Sequence, residues 1–126
     1  MKLFHTPDAP KAIGPYSQAI QSGNLLFCSG QTPLDPVSMT IQGQTIEVQT
    51  LQALENLEAV LKAAGLHRHH IVKTTVFLKN FADFERMNQV YAHFFGEHKP
   101  ARSTVEVSRL PKEALVEIEC VAELCS

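Results

Sequence analysis

From Glu47 to Leu78 the chain reads EVQTLQALENLEAVLKAAGLHRHHIVKTTVFL, and the change of rhythm inside this stretch decides the fold. Up to Ala64 the apolar residues Leu51, Leu54, Leu57 and Leu61 recur at steps of three and four, with Ala53 and Val60 beside them. That is the period of a helix with one oily stripe. Gln52, Glu55, Asn56 and Lys62 take the polar positions, and Gly65 stands where a left-handed glycine ends a helix. From Ile71 the period is gone. Ile71–Leu78 is β-branched and apolar apart from Lys73, as in a strand covered on at least one face.

Downstream, Asp83 is a candidate N-cap for a second helix running to about Phe95. Its stripe is Phe84, Met87, Val90, Tyr91 and Phe94, and Gly96 closes it. Ala101–Val107 and Leu115–Glu123 read as strands, with Leu110-Pro111-Lys112 in the loop between them. Upstream, Lys2–His5 is a short strand, and Pro7, Pro10, Gly14 and Pro15 stiffen the loop that follows. Ser17–Gln21 and Leu25–Ser29 form a hairpin through Ser22-Gly23-Asn24. Gln31–Gln44 reads as loop, with a short extended stretch near Met39–Ile41. The order β, β, β, α, β, α, β, β predicts an α+β domain over residues 1–126, a mixed sheet of about six strands with two helices on one face. The other face then needs cover, which points to a partner subunit.

Among 126 residues, 44% are hydrophobic and 19% charged, a composition that excludes wholesale disorder. Eleven Lys and Arg against thirteen Asp and Glu give a charge of −2, so there is no basic footprint for a dedicated nucleic-acid module. No apolar run suits a membrane span, and Met1–Pro10 lacks the apolar core of a signal peptide. Three cysteines without a C-x-x-C pattern fit a reducing cytoplasm rather than a disulfide framework.

Four groups of residues bear on chemistry. His67, His69 and His70 cluster after the first helix, but with no acidic or cysteine partner at ligand spacing they read as a solvated loop, and no metal site is assigned. His5, His93 and His98 are isolated, with a surface role as the default. Cys28 and Cys120 read as small buried hydrophobes, and Cys125 lies near the chain end. Strand alternation places Glu117 and Glu119 on one face of Leu115–Glu123, opposite Val116, Ile118, Cys120 and Ala122. These carboxylates are either solvated and ion-paired, or one is an acid/base group in an intersubunit cleft. Arg102, at a strand start, is either a surface charge or a two-pronged grip on a carboxylate.

Six segments stand in a familiar order: AIGPYSQA from Ala12, Ser29-Gly30-Gln31, QALENL from Gln52, VKTTVFL from Val72, Pro100-Ala101-Arg102-Ser103, and Leu110-Pro111-Lys112 through Glu117-Ile118-Glu119. Together, from about Pro10 to Leu124, they resemble the RidA (YjgF, Rid) family of enamine/imine deaminases. The resemblance implies a chorismate-mutase-like fold and a homotrimer with sites at the subunit clefts. It implies hydrolysis of 2-aminoacrylate, 2-iminobutanoate and 2-iminopropanoate to 2-keto acids and ammonia, protecting pyridoxal-phosphate enzymes, with no cofactor or metal. One alternative is a non-catalytic trimer that binds a small carboxylate and regulates a partner; another, taken from roles of some relatives, is an RNA-cleaving translation inhibitor or a holdase-type chaperone, against which the near-neutral charge argues.

By the same resemblance, Arg102 matches the arginine that binds the substrate carboxylate, Glu117 the acid that activates water, and Tyr16 the tyrosine that closes the pocket. Ser29 and Gly30 match the pocket wall, and Asn88 an asparagine of the second helix. Thr104 stands where many deaminase members have cysteine, and reads as pocket lining. Val37-Ser38-Met39 replaces a common glycine-containing turn, which implies a local loop change.

Overall fold

The structure, a computed structural model, describes residues 1–124. Cys125 lies outside the described residues. Six strands and two helices follow the predicted order: β1 (Lys2–Phe4), β2 (Ala19–Ser22), β3 (Leu25–Gln31), α1 (Ile46–Ala63), β4 (Ile71–Leu78), α2 (Phe84–Phe95), β5 (Ala101–Glu106) and β6 (Val116–Glu123). They form one mixed sheet in the order β1-β2-β3-β6-β4-β5. Only β4 and β5 pair in parallel, because α2 crosses between them; the other neighbours run antiparallel.

Both helices lie on one face. In β6, Val116, Ile118, Cys120 and Ala122 are buried, and they alternate with Glu117, Glu119, Val121 and Glu123 on the other side. Leu54, Leu57 and Leu61 of α1 are fully buried above them, each worth roughly 2–3 kcal/mol of transfer free energy. Met87, Tyr91, Phe94 and Phe95 of α2 complete the core. Cys28 and Cys120 face each other across β3 and β6 in this layer, and a hydrogen bond with Cys28, together with burial, pushes the Cys120 thiol well above its usual pKa. The uncovered face has its own row of register partners: Leu3, Ile20, Phe27, Val121, Lys73 and Ala101 run across all six strands. Leu3, Phe27 and Val105 stand exposed there.

Four local expectations are corrected. Leu51 is exposed, because the buried arc of α1 centres on Ala53 and Leu57 and leaves Leu51 on the rim with Val48. Asn56 is buried, and its Nδ2 donates to the carbonyls of Thr32 (3.0 Å) and Leu34 (2.9 Å), tying the Pro-rich loop to α1. Asp83 makes no side-chain cap; its carboxylate pairs with Arg86 instead, while Thr45 caps α1 by accepting from the Val48 N–H. His67 and His70 are joined by local bonds in a tight turn over Arg68–His70, where His67 Nδ1 accepts from His69 N and His70 Nδ1 from His67 N.

Arg68 in that turn pairs with Glu58 through two nitrogens (2.8 and 2.6 Å) and donates to the Phe94 carbonyl, joining the ends of α1 and α2. His98 is likewise no free surface residue; its Nε2 lies 2.7 Å from the Ile71 carbonyl. At the altered turn, Met39 adopts φ 59°, a left-handed conformation, and Asp35 Oδ1 accepts from Val37 N and Ser38 N. The extended stretch near it is a single bridge between Leu34 and Ile41.

Candidate functional site

Two separate hollows collect six of the seven predicted site residues, and Thr104 lines neither. The first is a cleft of about 540 Å³ at the end of β3, and Tyr16, Ser29, Gly30 and Glu117 all line it. Buried Gln18 shapes one wall. Its side chain accepts from Thr6 N and donates to the carbonyls of Thr6 and Pro10, holding the N-terminal loop in place. Ser29 Oγ donates to the Ser17 carbonyl at 2.6 Å, and Tyr16, turned sharply by its N–H to Gly14 O, stands half exposed at the rim.

Glu117 is the chemical centre of this cleft. It projects from β6 opposite Phe77 of β4 and is half-buried. Burial raises its carboxyl above the usual value, and the negative charge of Glu119 adds to the rise. Among the described residues no hydrogen bond holds the carboxylate. Its place beside β3 exists because residue 30 has no side chain: a Cβ there would run into Glu117 Oε2 and lie 3.0 Å from the carboxyl carbon. The ladder between β3 and β6 shifts register between Cys28 and Gln31 at this point, as at a β-bulge.

The second hollow, about 440 Å³, lies beside α2 and is lined by Asn88, Tyr91, His98 and Arg102. Arg102 stands in register with Thr74 and therefore points to the helix-covered side, as does Thr104, the partner of Val76. The Arg102 guanidinium lies 4.7 Å from the Tyr91 ring centre and 5.7 Å from that of Phe84. Among the described residues it has neither a hydrogen bond nor an ion pair; the side-chain ion pairs belong to Arg68, Arg86 and Arg109. Asn88 Oδ1 and Thr104 Oγ1 are buried without hydrogen-bond partners.

Within one chain, then, Tyr16, Ser29, Gly30 and Glu117 come together, and Asn88 and Arg102 come together, but the two sets do not meet. Arg102 and Glu117 occupy opposite faces of the sheet. Sequence reasoning missed Lys11, Met39 and Lys112 in the first cleft, where Lys112 Nζ donates to the Met39 carbonyl at 3.0 Å. It also took Tyr91 only as core; the signal was its spacing three residues beyond Asn88 on the same helix face. Among the described residues no group of three or more His, Cys, Asp or Glu side chains is placed to hold a metal ion, and no helix is long and apolar enough to cross a membrane.

The profile described as endoribonuclease L-PSP matches residues 6–124. A RutC family protein of Pyrococcus horikoshii is 54% identical over 121 residues, covering 96% of each chain. Among solved structures, a protein of the conserved Rid family from Yersinia pestis superposes with a TM-score of 0.94 at 48% identity, covering 98% of each chain. TdcF of Escherichia coli, solved with bound serine, gives 0.94 at 42% identity, covering 99% of this chain and 100% of its own.

Proposed function

This chain belongs to the L-PSP endoribonuclease family, within its Rid group, and from that premise we propose that it is a hydrolytic deaminase of 2-imino acids and their enamine tautomers. The observation that carries the reading is the pairing of opposites: a half-buried Glu117, its carboxyl pushed above the usual value by burial, and an Arg102 with no ion pair among the described residues, in two incomplete hollows. Neither hollow alone has both a carboxylate grip and an acid/base. A site closes when the Arg102 side of one copy meets the Glu117 cleft of another, in a homotrimer whose copies also cover the apolar sheet face.

The chemistry asked of these residues is small. Protonation at C3 converts the enamine to the imine. Arg102 fixes the carboxylate by two parallel hydrogen bonds and so holds C2 beside one water. Glu117, as carboxylate, takes the water proton as oxygen bonds to C2. With the imine nitrogen already protonated, the product is a neutral carbinolamine; Glu117 returns the proton to its nitrogen, the C2–N bond breaks to release ammonia, and the C2 hydroxyl proton passes back to the Glu117 carboxylate, leaving the 2-keto acid. A carboxyl with a raised pKa suits both transfers near neutral pH. Tyr16 closes the pocket, and Ser29, Gly30, Asn88 and Thr104 line it. That the similar TdcF was solved with bound serine supports a small amino-acid-like ligand. The charge of −2 supports a small-molecule substrate over RNA, despite the endoribonuclease in the family's name.

The test is a coupled assay. A threonine or serine dehydratase releases 2-aminocrotonate or 2-aminoacrylate, and 2-ketobutyrate or pyruvate is followed with and without this protein. Acceleration that disappears in Arg102→Ala supports the deaminase. A folded protein that binds 2-ketobutyrate but accelerates neither reaction is a carboxylate-binding module instead.

A further inference from the structure

An arginine that must greet a ligand needs a fixed direction and free N–H groups, and hydrogen bonds inside the chain supply the first only by using up the second. Arg102 uses none. What it has is aromatic: the Tyr91 ring at 4.7 Å and the Phe84 ring at 5.7 Å, from the first and third turns of α2. A guanidinium over a ring face is attracted through its flat side, which keeps the donors on its edge available for a planar carboxylate. The Tyr91 ring is itself immobile. It is 8% exposed, and its hydroxyl lies 2.7 Å from Thr74 Oγ1, a fully buried group on β4 and the register partner of Arg102. Strand β4 thus fixes the ring, and the ring aims a side chain of the next strand.

We propose that Tyr91 is the positioning residue for Arg102, a ring platform anchored through Thr74 that presents the guanidinium edge to a ligand carboxylate. The ligand part of this inference rests on the deaminase reading above; the platform itself does not. Asn88, between Phe84 and Tyr91 on the helix, lines the same hollow, and its buried Oδ1 has no hydrogen-bond partner.

Calorimetry with 2-ketobutyrate on the intact assembly, with sizing and thermal melting as controls, compares wild type with Tyr91→Leu, Tyr91→Phe and Arg102→Ala. Loss of the ring is expected to weaken binding roughly tenfold, the middle of the range for a partly desolvated cation–π contact. Tyr91→Phe, which keeps the ring, is expected to stay within about threefold of wild type. A second readout needs no variant at Tyr91: in NMR spectra of wild type, the Arg102 ε N–H signal, assigned with Arg102→Lys, is expected upfield of that of Arg109, which stacks on no ring. Wild-type affinity in Tyr91→Leu, or an Arg102 signal coincident with Arg109, overturns the platform. If wild type and Arg102→Ala both fail to bind 2-ketobutyrate, the deaminase reading falls, and the ring-current signal alone decides the platform. The same signal decides if Tyr91→Leu does not assemble.

Discussion

The Glu117 carboxylate occupies the space that a side chain at residue 30 would fill, so Gly30 and Glu117 are a fitted pair across β3 and β6. The glycine is required here for room at the surface of the sheet. Its φ is not in the left-handed region, unlike that of Gly65 at 77°. Gly30→Ala is therefore expected to leave the backbone in place and push the carboxylate away from the cleft. The deaminase rate in the coupled assay should fall tenfold or more, since misplacement of a reacting group by about 1 Å can cost roughly 100-fold. A Gly30→Ala protein with full rate would show that the carboxylate position is not used.

Glu117→Gln separates activity from stability. Its rate is expected to drop to a small residue of wild type with the assembly intact. In wild type, activity should fall as pH drops through the raised pKa of Glu117, because the base is then protonated. Stability moves the other way. With a folded pKa above the unfolded one, this carboxyl contributes most below the unfolded value of 4.5, and the contribution is lost as pH rises through the folded value. Melting curves at neutral pH should therefore place Glu117→Gln at or above wild type, with any advantage shrinking toward pH 4. A variant less stable than wild type at pH 7 would contradict the desolvation account.

If the site forms between copies, two inactive variants can repair each other. Arg102→Ala and Glu117→Gln, unfolded together and refolded at equal ratio, should regain activity. In every mixed cyclic trimer one of the three sites has both wild-type residues, so the mixture should recover roughly a quarter of the wild-type sites. Recovery near zero, with mixed trimers demonstrated by mass spectrometry, would place the whole site within one chain.

Away from the site, Arg68 joins α1 to α2 through Glu58 and the Phe94 carbonyl, and lies 3.8 Å from the Phe94 ring centre. Arg68→Ala is expected to cost about 1–2 kcal/mol in urea unfolding, reduced from a fully buried pair by partial exposure. The Arg68 guanidinium holds the Glu58 carboxyl below its usual value. Its contribution is present above the unfolded pKa of 4.5 and is lost as pH falls through the depressed folded one. The gap between wild type and Arg68→Ala should accordingly narrow in acid. A gap independent of pH would assign the effect to the Phe94 carbonyl bond and the ring contact rather than to Glu58.

Element types were legible because each segment obeys one period: three-and-four in α2, two in β6. A residue type suited to capping does not settle that it caps. Asp83 stands at the start of α2, but its carboxylate is taken by Arg86. Asn56 read as solvent-facing because polarity marks cost of burial, not the presence of Thr32 and Leu34 carbonyls to offset it. The site residues were recognisable one by one, yet their grouping was not. Alternation tells which residues of a strand share a face. Whether Arg102 on β5 shares a face with Glu117 on β6 depends on how both register against β4, which neither strand encodes alone.

The row from Leu3 through Ile20, Phe27 and Val121 to Ala101 also has a consequence for biosynthesis. A newly made chain finishes its own core beneath the helices while this stripe is still bare, broken by the single charge of Lys73. On the proposed trimer the stripe stays open until a copy covers it, and until then it is equally able to adhere to any other oily surface in a crowded cell. Yield of usable protein should then depend on how quickly chains find one another, and slow, dilute synthesis would be the more hazardous regime.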